Sequence, residues 1–239
     1  MRARWQSAAQ THRGARRKHN EDAVLARPDV GLWAVADGMG GHDAGDIASQ
    51  RITNALAAVT PAALFADTVD RVDDALDEVN DGLRGYAEEH CEGRIVGSTV
   101  VTMLAGDRVG VALWAGDSRL YRLRDSQLSQ ITRDHNPIAD LLDDGLVSEK
   151  AAVESDTNIV TRAVGGQFEL FLDVAVFDLQ GGDTFLLCSD GLYREVDAEE
   201  IGDLMGRESL AQGVTELIDL SLLRGARDNV SVVLSRLES

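Results

Sequence analysis

Two aspartates that end apolar runs constrain this chain more than any other feature. Leu32-Trp33-Ala34-Val35-Ala36 leads into Asp37-Gly38, and Thr184-Phe185-Leu186-Leu187-Cys188-Ser189 leads into Asp190-Gly191. Runs of this length and content read as buried strands. A carboxylate carried to the tip of a buried strand is costly unless a cation or hydrogen-bond donors meet it. Asp117 repeats the pattern after Val111-Ala112-Leu113-Trp114-Ala115-Gly116, and Asp228 stands just before the strand-like Val230-Ser231-Val232-Val233-Leu234. Four acids at strand ends, far apart in sequence, predict a fold that gathers them round one site for hard metal ions. The plainer reading is that Asp-Gly is an ordinary turn. Asp81-Gly82 and Asp144-Gly145 lie in polar surroundings and fit it, whereas the apolar runs set Asp37 and Asp190 apart.

Strand-like segments come in clusters: residues 5–11, 23–26 and 32–36; then 98–104, 109–115, 120–123 and 128–131; then 171–177, 184–189 and 230–237. Short turns such as Ala105-Gly106-Asp107 join neighbours, as in antiparallel meanders. Helices separate the clusters. Phe65, Val69, Val72, Leu76, Val79, Leu83 and Tyr86 draw one apolar stripe along a long helix, with Asp70, Asp73, Asp74, Asp77, Glu78 and Asp81 as its solvated face. Residues 47–59 and the stripe from Leu210 to Ser221 give two more. Strand runs broken by helices, without regular βαβ alternation, predict an α+β fold in which two sheets pack together with helices outside. No repeat or linker interrupts residues 1–239, so a single domain is expected, with an acidic, flap-like insertion at about 137–157.

A net charge of −18 argues against nucleic acid as a partner. The charge is uneven: Arg2, Arg4, Arg13, Arg16, Arg17 and Lys18 precede the first acid, Glu21. No apolar stretch is long enough to span a bilayer, and the N-terminus lacks a secretory pattern, so a cytoplasmic location is expected. Cys91 and Cys188 read as free thiols.

The candidate ligands Asp37, Asp190 and Asp228, with a carbonyl freed by a turn at Gly38, are all oxygens. Such sets suit magnesium, manganese or calcium rather than structural zinc. Two divalent ions sharing a carboxylate can acidify a bound water and clamp a phosphoryl group. Arg17, five residues before Asp22, can fork two phosphate oxygens, or be a surface arginine of a basic arm. His42, in the glycine-rich stretch after Asp37, can protonate a leaving alkoxide, or cap or pack a helix.

Arg17-Lys18-His19-Asn20-Glu21-Asp22, Asp37-Gly38-Met39-Gly40-Gly41-His42, Gly97-Ser98-Thr99, Gly116-Asp117-Ser118-Arg119-Leu120-Tyr121, Thr132-Arg133-Asp134-His135, Ser189-Asp190-Gly191 and Asp228-Asn229 together resemble the ordered motif series of protein phosphatase 2C, a family of metal-dependent Ser/Thr phosphatases. The likeness runs from about Trp5 to Leu237. It implies a four-layer αββα sandwich, two antiparallel sheets flanked by helix pairs, and a centre of two Mn2+ or Mg2+ ions with room for a weaker third. On this resemblance Asp37 would bridge both ions and Gly38 would offer its carbonyl to one. Asp190 and Asp228 would hold the second ion, and Glu21 and Asp22 would act through water. Asp117 with Asp190 would hold the third ion. Arg17 would bind phosphate, His42 would be the general acid, and the segment after His135 would be the flap.

The implied reaction is direct attack of a metal-bridging water on phosphoserine or phosphothreonine, without a phosphoenzyme. The implied partners are phosphorylated Ser/Thr proteins and a cognate bacterial Ser/Thr kinase, for a monomeric enzyme similar to those that control type VI secretion. Arg16 stands where an apolar residue is common, so Arg16 competes with Arg17 for the inward position; the spacing to Glu21-Asp22 favours Arg17. Two other readings remain: a metal-dependent phosphohydrolase for small molecules, and a catalytically silent phosphoprotein-binding module of the same fold. The second should have lost its metal carboxylates, and all are present.

Overall fold

Residues 4–40, 44–138, 141 and 159–238 are described by the computed structural model. In chain order they form β1 (Trp5–His12), β2 (Asp22–Arg27), β3 (Leu32–Gly40), α1 (Gly45–Ala58), α2 (Phe65–His90), β4 (Val96–Ser98), β5 (Val100–Ala105), β6 (Val109–Ala115), β7 (Arg119–Arg124), β8 (Gln127–Gln130), β9 (Asp173–Asp178), β10 (Thr184–Cys188), α3 (Asp190–Tyr193), α4 (Ala198–Met205), α5 (Leu210–Leu223) and β11 (Val230–Leu237). One sheet runs β1-β11-β10-β7-β8 and the other β2-β3-β5-β6-β9, with β4 paired to β3. Neighbouring strands in both are antiparallel.

The period-two burial of the central strands builds the layers. In β3, Leu32, Ala34 and Ala36 join the apolar cluster under α1 and α2, while Trp33 and Val35 join the cluster between the sheets. In β10, Phe185 and Leu187 face that same middle cluster, and Leu186 and Cys188 face the cluster under α4 and α5. Three apolar layers between four layers of structure make the αββα sandwich that the motif series implies. The helices dock by their stripes. Ala48, Ile52 and Leu56 of α1, and Val72, Leu76 and Leu83 of α2, are buried on one sheet. Trp33 Nε1 donates to Ser7 Oγ at 2.7 Å and pins one sheet to the other.

Three expectations need correction. β3 does not end at Ala36 but runs through Asp37 to Gly40, because Gly38 and Met39 pair with Ser98 and Gly97 of β4. There is therefore no turn at Gly38. The segment 98–104 is two strands, broken at Thr99, whose N–H donates to the Asp37 carbonyl at 2.9 Å. Asp190 does not simply end a strand; it opens the one-turn helix α3. The flap-like insertion at about 137–157 lies almost wholly outside the described residues.

Candidate metal centre

Five distant segments bring acids to one end of the sandwich, where the two sheets meet. Asp22 of β2 and Asp37 of β3 are register partners. Asp190 opens α3 directly after β10, Asp117 follows β6, and Asp228 precedes β11. Glu21, Asp37, Asp117, Asp190 and Asp228 line one cavity of about 230 Å³, with Arg17, Gly38, Thr99, Arg194 and Asn229. Asp22 lies buried beneath them.

Close backbone approach explains the glycines of the motifs. A Cβ on Gly38 would stand 2.0 Å from the Gly45 carbonyl oxygen and 2.5 Å from that of Glu21. Gly38 N–H donates to that Glu21 carbonyl at 3.1 Å. Glycine is thus required by packing of β3 against the start of α1, not by a turn. Gly191 is similar, its missing Cβ 2.0 Å from the Asn229 carbonyl oxygen.

A polar shell holds the acids. Asp22 Oδ2 accepts from Ser189 Oγ at 2.8 Å and Ser231 Oγ at 2.6 Å, which joins β2 to the other sheet. Asp37 N–H donates to Thr99 Oγ1 at 3.2 Å, and Thr99 Oγ1 lies 2.8 Å from Ser118 Oγ. Asn229 sews the N-terminal loop to β11: its Oδ1 accepts from Glu21 N–H at 2.8 Å, and its Nδ2 donates to the Arg13 and His19 carbonyls at 2.9 and 3.0 Å. His135 Nδ1 accepts from Gly116 N–H at 3.1 Å and fixes the turn that carries Asp117.

Crowding of negative charge shows in the ionisation of the acids. Burial pushes Asp22 up to about 6 against its two serine donors. Burial, then the neighbouring Asp117, pushes Asp190 up to about 7 against Arg194. Asp37 is raised well above the usual carboxylate range by burial and then by Asp22, Asp190, Asp117 and Asp228, although its tip is partly open to the cavity. Burial also raises Asp117, with Asp134 adding to it. Such clusters of perturbed acids in a cavity mark functional sites.

The donor set fits hard divalent ions. Asp22 Oδ1 and Asp190 Oδ1 are buried without a hydrogen-bond partner, a state that costs on the order of 1–3 kcal/mol per group. A cation at Asp190, with one of its waters on Asp22, would satisfy both oxygens and offset the mutual repulsion. Among the described residues no three His, Cys, Asp or Glu side chains enclose a single ion by themselves. The carboxylates would therefore have to draw in round each ion, with waters completing its shell, as they do for magnesium.

Arg17 rather than Arg16 reaches the cavity. Its Nη2 donates to Asp228 Oδ2 at 2.7 Å, and its side chain is half exposed. Asp228, through that hydrogen bond, raises the Arg17 pKa further. His42 lies outside the described residues. Cys91 and Cys188 are free thiols, as expected. Sequence reasoning missed Arg194, whose Nη2 stands 3.1 Å from Asp190 Oδ2. The available signal was its place four residues after Asp190, which puts the two on one helical face. It also gave no role to Ser189, Ser231 or Asn229, whose hydrogen bonds appear only in the folded chain.

A family model described as Protein phosphatase 2C matches residues 9–234. The serine/threonine protein phosphatase PstP of Mycobacterium tuberculosis is 36% identical over 230 residues, which make up 95% of this chain and 44% of that protein. The chain thus spans less than half the length of that relative. Among solved structures, PppA, a key regulatory component of T6SS in Pseudomonas aeruginosa, superposes with a TM-score of 0.89 at 41% identity, covering 98% of this chain and 97% of that one. The catalytic domain of PstP in complex with 2 manganese ions superposes with a TM-score of 0.89 at 33% identity, covering 98% and 99%.

Proposed function

The chain belongs to the protein phosphatase 2C family, and on that premise we propose that it is a metal-dependent phosphatase hydrolysing phosphoserine and phosphothreonine in proteins. The observation that carries this reading is the convergence of Asp37, Asp117, Asp190, Asp228 and Arg17 on one cavity. Asp37 would bridge two ions, with the Gly38 carbonyl on one and Asp190 and Asp228 on the other; Glu21 and Asp22 would act through water. Two Mn2+ or Mg2+ ions bound there would acidify a water and neutralise phosphoryl charge. The manganese complex of PstP supports the first of these metals.

The rest of the work falls to the chain's own groups. Arg17 is held at the cavity by Asp228 and keeps half its surface free, so its guanidinium can fork phosphate oxygens. Arg13, Arg16 and Lys18 lie exposed around it, a local positive rim on a strongly negative protein. That rim favours an anionic phosphopeptide. Serine donors keep Asp22 fixed while charge moves above it. No cysteine competes as nucleophile: Cys188 is buried on β10, and burial pushes its thiol up to about 12. A phosphocysteine intermediate is thereby disfavoured, and the reaction is read as direct hydrolysis by water. His42 is proposed as the acid that protonates the leaving oxygen.

The proposed partners are phosphoproteins and the Ser/Thr kinase that modifies them. The likeness to PppA supports a setting in secretion control. One chain supplies every liganding carboxylate, which supports a monomer. Two free thiols support the cytoplasm, and no helix among the described residues is long and apolar enough to cross a membrane.

The test is hydrolysis of a phosphothreonine peptide with manganese added and then chelated, beside small phosphate esters at equal concentration. The peptide should be preferred, and chelation should abolish turnover. Preference for the esters would favour a small-molecule phosphohydrolase, and no turnover of either would favour a silent binding module.

A further inference from the structure

We propose that Arg194 is a resident cation standing where a third metal ion would otherwise bind, so that the chain holds two divalent ions and no more. The inference rests on the metal-centre reading above. Arg194 Nη2 lies 3.1 Å from Asp190 Oδ2 and 3.6 Å from Asp117 Oδ2. These are the two carboxylates that the family resemblance assigns to a third ion. The acid side chains are 11% and 6% exposed, the guanidinium 25%, so the charges meet where water screens them little.

Asp190 is divided by this contact. Its Oδ2 faces the guanidinium, while its Oδ1 is buried without a hydrogen-bond partner and is free to take an ion. Among the described residues Asp117 has no other basic side chain within ion-pair distance. Asp117 is therefore assigned to hold Arg194, not a metal.

The arginine is positioned from two sides. Arg194 N–H donates to the Asp190 carbonyl at 3.1 Å, which continues the turn of α3 and sets both side chains on one face. The hydroxyl of Tyr193 donates to the Asp117 carbonyl at 3.0 Å. The Arg119 guanidinium lies 3.5 Å from the Tyr193 ring centroid and is itself forked onto Asp134, with Nε and Nη2 at 2.9 and 2.8 Å. This clamp fixes α3 against the Asp117 turn. A divalent ion between Asp117 and Asp190 would have to displace a tethered positive charge.

The experiment counts Mn2+ bound to the full chain, from the electron paramagnetic resonance of free Mn2+, for wild type, R194M, D117N and the R194M/D117N double variant. Circular dichroism checks each fold. Wild type and D117N should each bind two ions. R194M should gain a third, at least about tenfold tighter than any third site in wild type, and the double variant should lose it. Identical counts and affinities in wild type and R194M would overturn the proposal. So would three ions in wild type falling to two in D117N, a comparison that decides the matter even if R194M does not fold. Wild type binding no Mn2+ would instead sink the metal-centre reading, and this inference with it.

Discussion

At the residue scale, Asp22 and Asp190 each keep one buried oxygen without a partner. Such oxygens gain from an ion and lose in its absence, so their substitution tests the centre more sharply than that of an exposed acid. Asp190→Asn should lower manganese-dependent turnover by more than about a hundredfold, beyond the ten- to hundredfold that losing an outer partner of a metal ligand costs. Circular dichroism should remain unchanged; full turnover in this variant would remove Asp190 from the site. Arg17 should behave differently, because it grips the substrate at the rim of the cavity. Arg17→Ala should raise KM about tenfold with a smaller change in kcat, and Arg17→Lys should recover little, since an ammonium lacks the planar fork. An unchanged KM would transfer the role to Arg16, which is exposed and does not line the cavity.

At the scale of elements, packing of β3 against the start of α1 is what places Asp37. Gly38→Ala would drive a Cβ into backbone oxygens of Gly45 and Glu21. Overpacking of that kind costs about 3 kcal/mol, which in a chain of this length lowers Tm by roughly 6–12 °C. Gly85 gives the contrast: nothing lies within 4 Å of its added Cβ on the exposed face of α2. Gly85→Ala should stabilise by roughly 0.5–1 kcal/mol. Thermal melts of the two variants check both.

Most of these elements were legible in the sequence, because alternation in β3 and β10 and the stripe of α2 are local consequences of burial. The acids at the strand ends were legible for the same reason, since a buried run ending in Asp demands a counter-charge. What was hidden depends on partners remote in sequence. β3 runs on past Asp37 only because β4 pairs with it. The strand at 98–104 breaks only because Thr99 bonds to Asp37. Arg194 acquires a role only when Asp117 is brought beside Asp190.

At the scale of the whole molecule, the gathered acids make folding work against its own charge. Asp22 is raised to about 6 and Asp190 to about 7, first by burial, against an unfolded value near 3.8, and Asp37 is raised as well. The folded chain therefore binds more protons than the unfolded chain between about pH 4 and 7, and stability falls as pH rises through that window. Metal-free protein should melt at a lower temperature at pH 7.5 than at pH 5. Millimolar manganese should reverse the order, because cations bind the ionised acids of the folded state alone. A pH-independent Tm in chelator would contradict the assignment of burial to these groups. The central claim is that acids from both sheets converge to hold a pair of divalent cations. The most direct measurement is an anomalous difference map from a crystal of this chain grown with manganese. Two peaks in the cavity, within about 2.0–2.6 Å of carboxylate oxygens of Asp37, Asp190 and Asp228, are the predicted result. An empty cavity, or peaks elsewhere on the surface, would contradict it.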